Sequence, residues 1–196
     1  MKNLFIKRFQ YYKELAEKTF DQISEENLFW KYNEESNSIA TIVKHLAGNM
    51  QSRWTNFLTE DGEKIWRNRD SEFENDLKSK TEMLEIWHKA WSILFEALNQ
   101  IQDENWNQFI SIRDEKITVL DAVIRQIAHY PYHVGQIVYI GKMLKNEEWK
   151  SLSIAKNKSE KSTIEMLKNQ ESSVIQENSS PVCFAKSDEV RDDYKI

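Results

Sequence analysis

Apolar residues recur at intervals of three and four in four separate stretches of this chain, and that spacing constrains its fold more than any other feature. Such spacing places apolar side chains along one face of an α-helix. The four stretches cover roughly residues 3–21, 38–59, 76–101 and 118–145. With 4 glycines and 2 prolines among 196 residues, the chain also lacks the turn residues that a sandwich or barrel of short strands requires. We therefore predict an all-α protein.

The connections between these stretches predict how the helices are arranged. Ser38 precedes the second helix as a capping residue, and Thr118 with Asp121 forms a capping-box pattern before the fourth. The charged segment 61–75 has the character of a long surface crossover, and residues 109–112 have that of a short strand. Apolar residues cover most of the circumference of the fourth helix, so we expect it to be the most buried. Four helices with two long connections predict a four-helix bundle of non-meander topology.

The tryptophans end well before the chain does. All seven tryptophans lie at or before Trp149, whereas the chain from about residue 156 onward is mostly Lys, Glu, Ser, Asn and Gln. Such a composition does not bury enough apolar surface to offset the entropy of ordering the chain. We therefore predict a folded domain over residues 1–155 and a polar, disordered tail over residues 156–196, with a short helix at residues 162–167 as its one ordered element.

Charge and cysteine content limit the partners and the compartment. The 27 basic and 32 acidic side chains leave a formal charge of -5, which does not suit a nucleic-acid backbone or an anionic membrane. A single cysteine, Cys183, cannot form an internal disulfide, and Lys7 and Arg8 interrupt the first apolar run long before a signal-peptide length is reached. We expect a cytoplasmic protein with neither a nucleic-acid nor a membrane partner.

Three of the four histidines form a candidate metal site. His129 and His133 are four residues apart on the fourth helix, so both imidazoles lie on one face, one turn apart. His45 lies at the edge of the apolar stripe of the second helix, from which a side chain can reach a cleft. Three such nitrogens can bind zinc, nickel, iron or manganese and leave coordination positions open. The alternative is that these histidines are hydrogen-bonded core residues.

Neighbouring residues refine this hypothesis. Position 130 is Tyr, so the His-Glu-x-x-His pattern of a metalloprotease helix is absent and no general base is supplied there. His88 lies beside tryptophans and is expected to be a rim or core residue and not a ligand. Four polar residues lie near the candidate ligands by helical geometry, where they either orient a ligand histidine or satisfy one another: Asn49, Ser52, Gln126 and Gln136.

Two segments resemble the DinB-like superfamily of metal-dependent bundle proteins. They read TIVKHLAGNMQSRW from Thr41 to Trp54 and HYPYHVGQI from His129 to Ile137. Residues 69–73 and 149–154 resemble a small, uncharacterised bacterial branch of the same superfamily. The resemblance covers roughly residues 1–160, and the tail from about Glu171 has no counterpart in it.

The resemblance implies a four-helix bundle of up-down-down-up topology with long crossover connections, often dimeric. It implies a divalent metal ion, most commonly zinc or nickel, bound by His45, His129 and His133. In characterised relatives the metal activates a low-molecular-weight thiol for S-transfer or isomerisation, or is thought to support hydrolysis. The expected function is thus a homodimeric metal-dependent thiol transferase or hydrolase acting on a small molecule, although no residue can be named as its general acid or base.

A non-enzymatic role is the alternative: a metal-binding or dimerising, stress-related bundle protein in which the ion is structural. A structural zinc site normally has four protein ligands, so a set of three histidines favours catalysis.

Overall fold

Four long helices form most of the computed structural model, which describes residues 1–154 and 157–158. They are α1 (Lys2–Phe20), α3 (Ile39–Trp54), α4 (Lys80–Gln100) and α5 (Val119–Lys145). A short helix, α2 (Glu25–Leu28), lies between α1 and α3, and short 3-10 turns occur at Asp70–Phe73, Asp103–Asn107 and Asn146–Glu148. A hairpin of β1 (Phe109–Ile112) and β2 (Glu115–Thr118) precedes α5. The predicted all-α class is confirmed, and the strand expected at 109–112 is present with a partner.

Side-chain caps mark where α3 and α5 begin. The hydroxyl of Ser38 accepts a hydrogen bond from the backbone N–H of Thr41 at 3.0 Å, as predicted for the start of α3. Thr118 caps α5 in the same way, accepting from the Asp121 N–H at 3.1 Å. Each such cap contributes about 1 kcal/mol because it satisfies an otherwise unpaired first-turn donor.

Two predicted helix boundaries were wrong. The second helix was expected to reach residue 59 but ends at Trp54, because Thr55 is extended (ψ 120°) and Asn56 has a positive φ of 49°. The third was expected from residue 76 but begins at Lys80, where Ser79 is the capping residue and accepts from the Glu82 N–H at 3.2 Å. In both cases the apolar spacing extends beyond the residues whose backbone is helical.

The long helices pack in pairs around a shared core. α3 packs on α4 and α5, while α1 packs on α5 and α4. The expectation that α5 is the most buried helix was wrong: 13 of the 16 residues of α3 are buried, against 8 of the 27 residues of α5. Apolar side chains on the outer face of α5 are exposed instead, among them Ile124, Tyr132, Tyr139 and Met143.

Aromatic side chains fill the core between α1 and α4. We call Phe9, Phe20, Trp87 and Trp91 the tryptophan cluster. Its ring centroids lie 5.3 Å apart for Phe20 and Trp87, 5.3 Å for Trp87 and Trp91, and 6.3 Å for Phe9 and Trp91, all edge to face. This geometry is the preferred one for aromatic pairs and adds to the stabilisation from their buried area.

Several predictions concern residues outside the described ones. The helix at 162–167, the disorder of the tail and the surroundings of Cys183 all lie there. One compact unit spans Met1–Lys150. Among the described residues, no helix combines the length and the apolar content needed to cross a membrane.

Candidate metal centre

Three imidazole rings from two helices converge at one point. His45 on α3 and the pair His129 and His133 on α5 bring ring nitrogens within 4.8 Å of one another. The Nε2 atom of His129 is 3.4 Å from that of His45 and 3.1 Å from that of His133. The structure thus brings together the three histidines singled out in the sequence, in an arrangement compatible with a metal site.

The outward nitrogen of each ring faces a hydrogen-bond acceptor. Nδ1 lies 2.9 Å from Glu72 Oε2 in His45, 3.3 Å from Gln126 Oε1 in His129 and 2.8 Å from Gln136 Oε1 in His133. In the tautomer that donates Nδ1–H to these oxygens, each Nε2 presents a lone pair to the common point. Three lone pairs facing one another at this distance repel unless a cation lies among them, so the donor set fits a metal ion.

The surroundings favour the neutral form of these rings. Burial and, to a lesser extent, the neighbouring His133 and His45 lower the pKa of His129 to about 4. Burial likewise lowers the pKa of His133. Both imidazoles are therefore neutral near pH 7, which is the form that binds metal ions.

A buried ion-pair network supports His45 from the crossover between α3 and α4. Glu72 is 5% exposed, and Arg67 donates to both of its oxygens, from Nε to Oε1 at 2.7 Å and from Nη2 to Oε2 at 3.0 Å. Burial alone would raise the pKa of Glu72, but the hydrogen bonds from His45 and Arg67 outweigh it and lower that pKa. Glu72 therefore stays ionised and holds the His45 ring in one tautomer and orientation.

A glycine in α3 lets this carboxylate approach. A Cβ atom built on Gly48 would overlap Oε1 of Glu72. Only a residue without a side chain leaves the room that Glu72 occupies beside His45.

The segment 61–75 is a long crossover with mostly exposed residues, as predicted, but it also carries buried charged side chains that the prediction did not include. Arg67 and Glu72 are both largely withdrawn from solvent, with side chains 2% and 6% exposed. No spacing rule places a residue of an irregular segment against a helix 27 positions away. The signal that did include Glu72 was the resemblance of residues 69–73 to the bacterial branch, which assigned no role to this residue.

Of the four polar residues named from helical geometry, two contact the candidate ligands. Gln126 and Gln136 do so, as described above. Asn49 instead accepts from the Tyr130 hydroxyl at 3.1 Å, and Ser52 donates to the Gly62 carbonyl at 2.8 Å. The fourth histidine, His88, has a side chain 56% exposed, near Glu17 and outside the cluster.

A cavity of about 460 Å³ opens beside the three histidines. The Phe73 ring forms part of its wall and stacks on His45, with centroids 4.8 Å apart and planes 26° apart. A space of this size admits a small molecule next to the converging nitrogens.

Fold and site together define a mostly helical protein with a partly buried cluster of three histidines beside a cavity. A family model described as "Protein of unknown function (DUF1572)" matches residues 2–158. The match covers well over half of the chain, which therefore belongs to this family. A search of curated proteins found no match.

Proposed function

We propose that this protein is a divalent-metal-dependent enzyme in which His45, His129 and His133 bind one ion and the adjoining cavity admits the substrate. The supporting observation is that the three Nε2 atoms face one point while an acceptor occupies each Nδ1. Neutral imidazoles suit zinc and nickel best, and iron(II) or manganese(II) are accepted by the same donors.

The number of ligands supports catalysis over a structural role. Among residues 1–154 and 157–158, no fourth His, Cys, Asp or Glu joins the cluster. A structural zinc normally has four protein ligands, whereas three leave room for water or substrate. The alternative, a non-enzymatic stress-related protein with a structural ion, would need a further ligand.

The chemistry proposed is S-transfer from a low-molecular-weight thiol, or hydrolysis. An ion in such a site lowers the pKa of bound water to about 7 and holds a bound thiol as thiolate. The protein's own residues orient the imidazoles, through Glu72 on His45, Gln126 on His129 and Gln136 on His133. Phe73 shields one face of His45 from water.

We further propose that the fold is a DinB-like four-helix bundle of up-down-down-up order. The pairing of α1 with α5 and α4, and of α3 with α4 and α5, supports it. The 25-residue connection from Thr55 to Ser79, the kind of long crossover such a topology needs, also supports it. The homodimer, the thiol partner and the cytoplasmic location rest on the resemblance and on composition alone.

Metal analysis of purified protein tests the site. We expect about one divalent ion per chain in the parent, and its loss in His45→Ala and in His129→Ala/His133→Ala. His88→Ala is the matched control, since it removes an exposed histidine outside the cluster and is expected to retain the ion. Circular dichroism on each variant separates loss of metal from loss of fold. Failure of the parent to bind zinc, nickel, iron(II) or manganese(II) after reconstitution would mean that the histidines are core or pocket residues.

Cobalt(II) substitution tests whether the bound ion is open to substrate. We expect a small thiol to add a sulfur-to-metal charge-transfer band to the spectrum of the cobalt-loaded protein, because a coordination position is free. A spectrum that no thiol, azide or hydroxide alters would indicate a saturated, structural ion. Turnover screens with thiols and hydrolysable esters then follow on the metal-loaded protein.

A further inference from the structure

We propose that the cavity beside the three histidines binds an anionic group of the substrate through arginine side chains. Five arginines line it, and none of its twelve lining residues is acidic: Arg53, Arg67, Arg69, Arg113 and Arg125 are the cationic ones. The whole chain carries a net charge of -5, so this concentration of positive charge does not follow from composition. The inference specifies the substrate class of the enzyme proposed above and rests on that proposal for the reaction, but not for anion binding itself.

The carboxylates that contact these arginines do not neutralise them. Arg53, Arg67 and Arg113 share one partner, Glu63, at 3.0, 3.3 and 3.1 Å. Arg67 also pairs with Glu72.

The other two arginines have longer carboxylate contacts or none. Arg125 lies 3.6 Å from Glu115, and among the described residues Arg69 has no carboxylate within 4.0 Å. Five guanidinium groups thus face three carboxylates, an excess of two positive charges before any metal ion is counted.

Burial divides the arginines into two groups with different roles. The side chains of Arg53 and Arg67 are 7% and 2% exposed and are held by the network, so they supply a permanent field at the cavity wall. Those of Arg113 and Arg125 are 51% and 48% exposed, and Arg69 is exposed too. These three have guanidinium N–H groups free to form paired hydrogen bonds with an oxyanion entering from solvent.

Helix geometry sets the distance between the anionic group and the reacting atom. His133, His129 and Arg125 follow one another at four-residue intervals along α5, as do His45, Asn49 and Arg53 along α3. At a rise of about 1.5 Å per residue, the backbones of Arg125 and Arg53 lie roughly 6–12 Å along their helices from those of the histidines. The substrate class is therefore a small molecule whose carboxylate, phosphate or related oxyanion lies several bonds from the atom that reacts.

Calorimetric titration with inorganic phosphate and, separately, with succinate tests the inference. Both zinc-loaded and metal-free protein are used, at low ionic strength. The test variant is Arg69→Gln/Arg125→Gln, which removes two exposed charges and leaves the buried network intact. Lys7→Gln/Arg8→Gln is the matched control, because it removes the same charge from the exposed surface of α1.

We expect the parent to bind at least one of the two anions, with and without zinc. The test variant is expected to bind it at least tenfold more weakly with its zinc content unchanged, and the control within twofold of the parent. Preference for phosphate or for succinate then assigns the oxyanion. Absence of anion binding in both forms of the parent would overturn the inference. So would unchanged affinity in the test variant, because the anion would then be bound by the metal or at another place on the protein.

These results separate the two proposals. Arginine-dependent anion binding by a protein that never binds metal would refute the proposed enzyme and leave the anion site standing. Metal binding without arginine-dependent anion binding would refute the anion site and leave the proposed enzyme standing.

Discussion

The two sides of this helical core are held together by opposite kinds of contact. Between α1 and α4, the tryptophan cluster brings aromatic edges and faces together, and polar contacts lie around it, such as those from Trp87 Nε1 to Glu17 at 3.1 Å and from Lys80 Nζ to the Phe20 carbonyl at 2.8 Å. Between α3 and α5, and under the crossover that carries Glu72, each imidazole has an assigned partner on its outer side. Apolar packing is non-directional and stabilises in proportion to buried area, whereas a hydrogen-bonded network fixes individual atoms at a cost in desolvation.

Stability and site geometry therefore depend on separate parts of this protein. A change in the tryptophan cluster should weaken the fold and leave the histidines competent. A change in the hydrogen-bond network around the histidines should weaken metal binding and leave the fold stable. Each prediction below tests that separation, starting with the largest effect.

Trp87→Ala should have the largest effect on stability. Trp87 is 1% exposed and packs on Phe20 and Trp91, so truncation leaves a cavity and lowers the free energy of unfolding by about 3–5 kcal/mol. Urea denaturation measures this change, and zinc titration of the folded variant should give an affinity within about twofold of the parent. Loss of zinc binding by the folded variant would show that the two regions are not separate.

Glu72→Gln should weaken metal binding by about 10–100-fold, because the His45 ring loses the carboxylate that orients it and raises its basicity. Competition with a chelator measures the affinity. The control is Glu74→Gln, which makes the same chemical change two residues away on an exposed side chain. Equal affinities in the two variants would remove Glu72 from the metal site.

Two glycine-to-alanine variants should have opposite signs. Gly135→Ala meets nothing within 4 Å and is expected to raise the free energy of unfolding by about 0.5–1 kcal/mol, since glycine is unfavourable within a helix. Gly48→Ala gains the same helix propensity but displaces the Glu72 carboxylate. We expect it to be destabilised relative to Gly135→Ala and to bind zinc more weakly. Gly48→Ala with parental zinc affinity would show that Glu72 relocates without consequence.

Asp61 should give the smallest effect, visible as a dependence on pH. Its carboxylate ties the 61–75 segment to the hairpin turn, where Arg113 and Asp114 both have positive φ. Burial alone would raise the pKa of Asp61, but hydrogen bonds outweigh it and hold that pKa well below its usual range. These bonds come from the Ser111 hydroxyl and from the backbone N–H groups of Glu63, Arg113 and Asp114.

Proton linkage gives the direction in which the stability contributed by Asp61 changes with pH. A carboxylate whose pKa is depressed by folding adds stability above its unfolded pKa of about 3.9, and that stability is lost as the pH falls through the folded pKa. Asp61→Asn should therefore melt at a lower temperature than the parent at pH 7, and the gap should narrow below pH 4. Melting curves from pH 7 to pH 2.5 measure it, and a gap that stays constant would contradict the assigned ionisation.

Much of this architecture could be read from the sequence. The apolar spacing located the four long helices, and Ser38 and Thr118 were identified as caps because capping is a local interaction. The pair His129 and His133 was predictable for the same reason, since helical periodicity alone puts them on one face. Gln126 and Gln136, three residues from the histidines that they contact, were within reach of the same argument.

The parts that sequence reasoning missed depend on contacts between distant segments. The outer face of α5 is as apolar as a buried face, so its exposure could not be anticipated from pattern. The same holds for the end of α3 at Trp54, which the backbone at Asn56 determines against the apolar spacing.

Periodicity and neighbours within one turn were enough to predict the helices, their caps and the pair His129 and His133. His45 was singled out by its place at the edge of an apolar stripe and by the family resemblance. Only the tertiary structure decided that Glu72 lies beside His45, that Gly48 leaves room for it, and that arginines from separate segments line one cavity. Irregular segments have no period from which the direction of a side chain follows, so long-range packing alone determines which groups meet there.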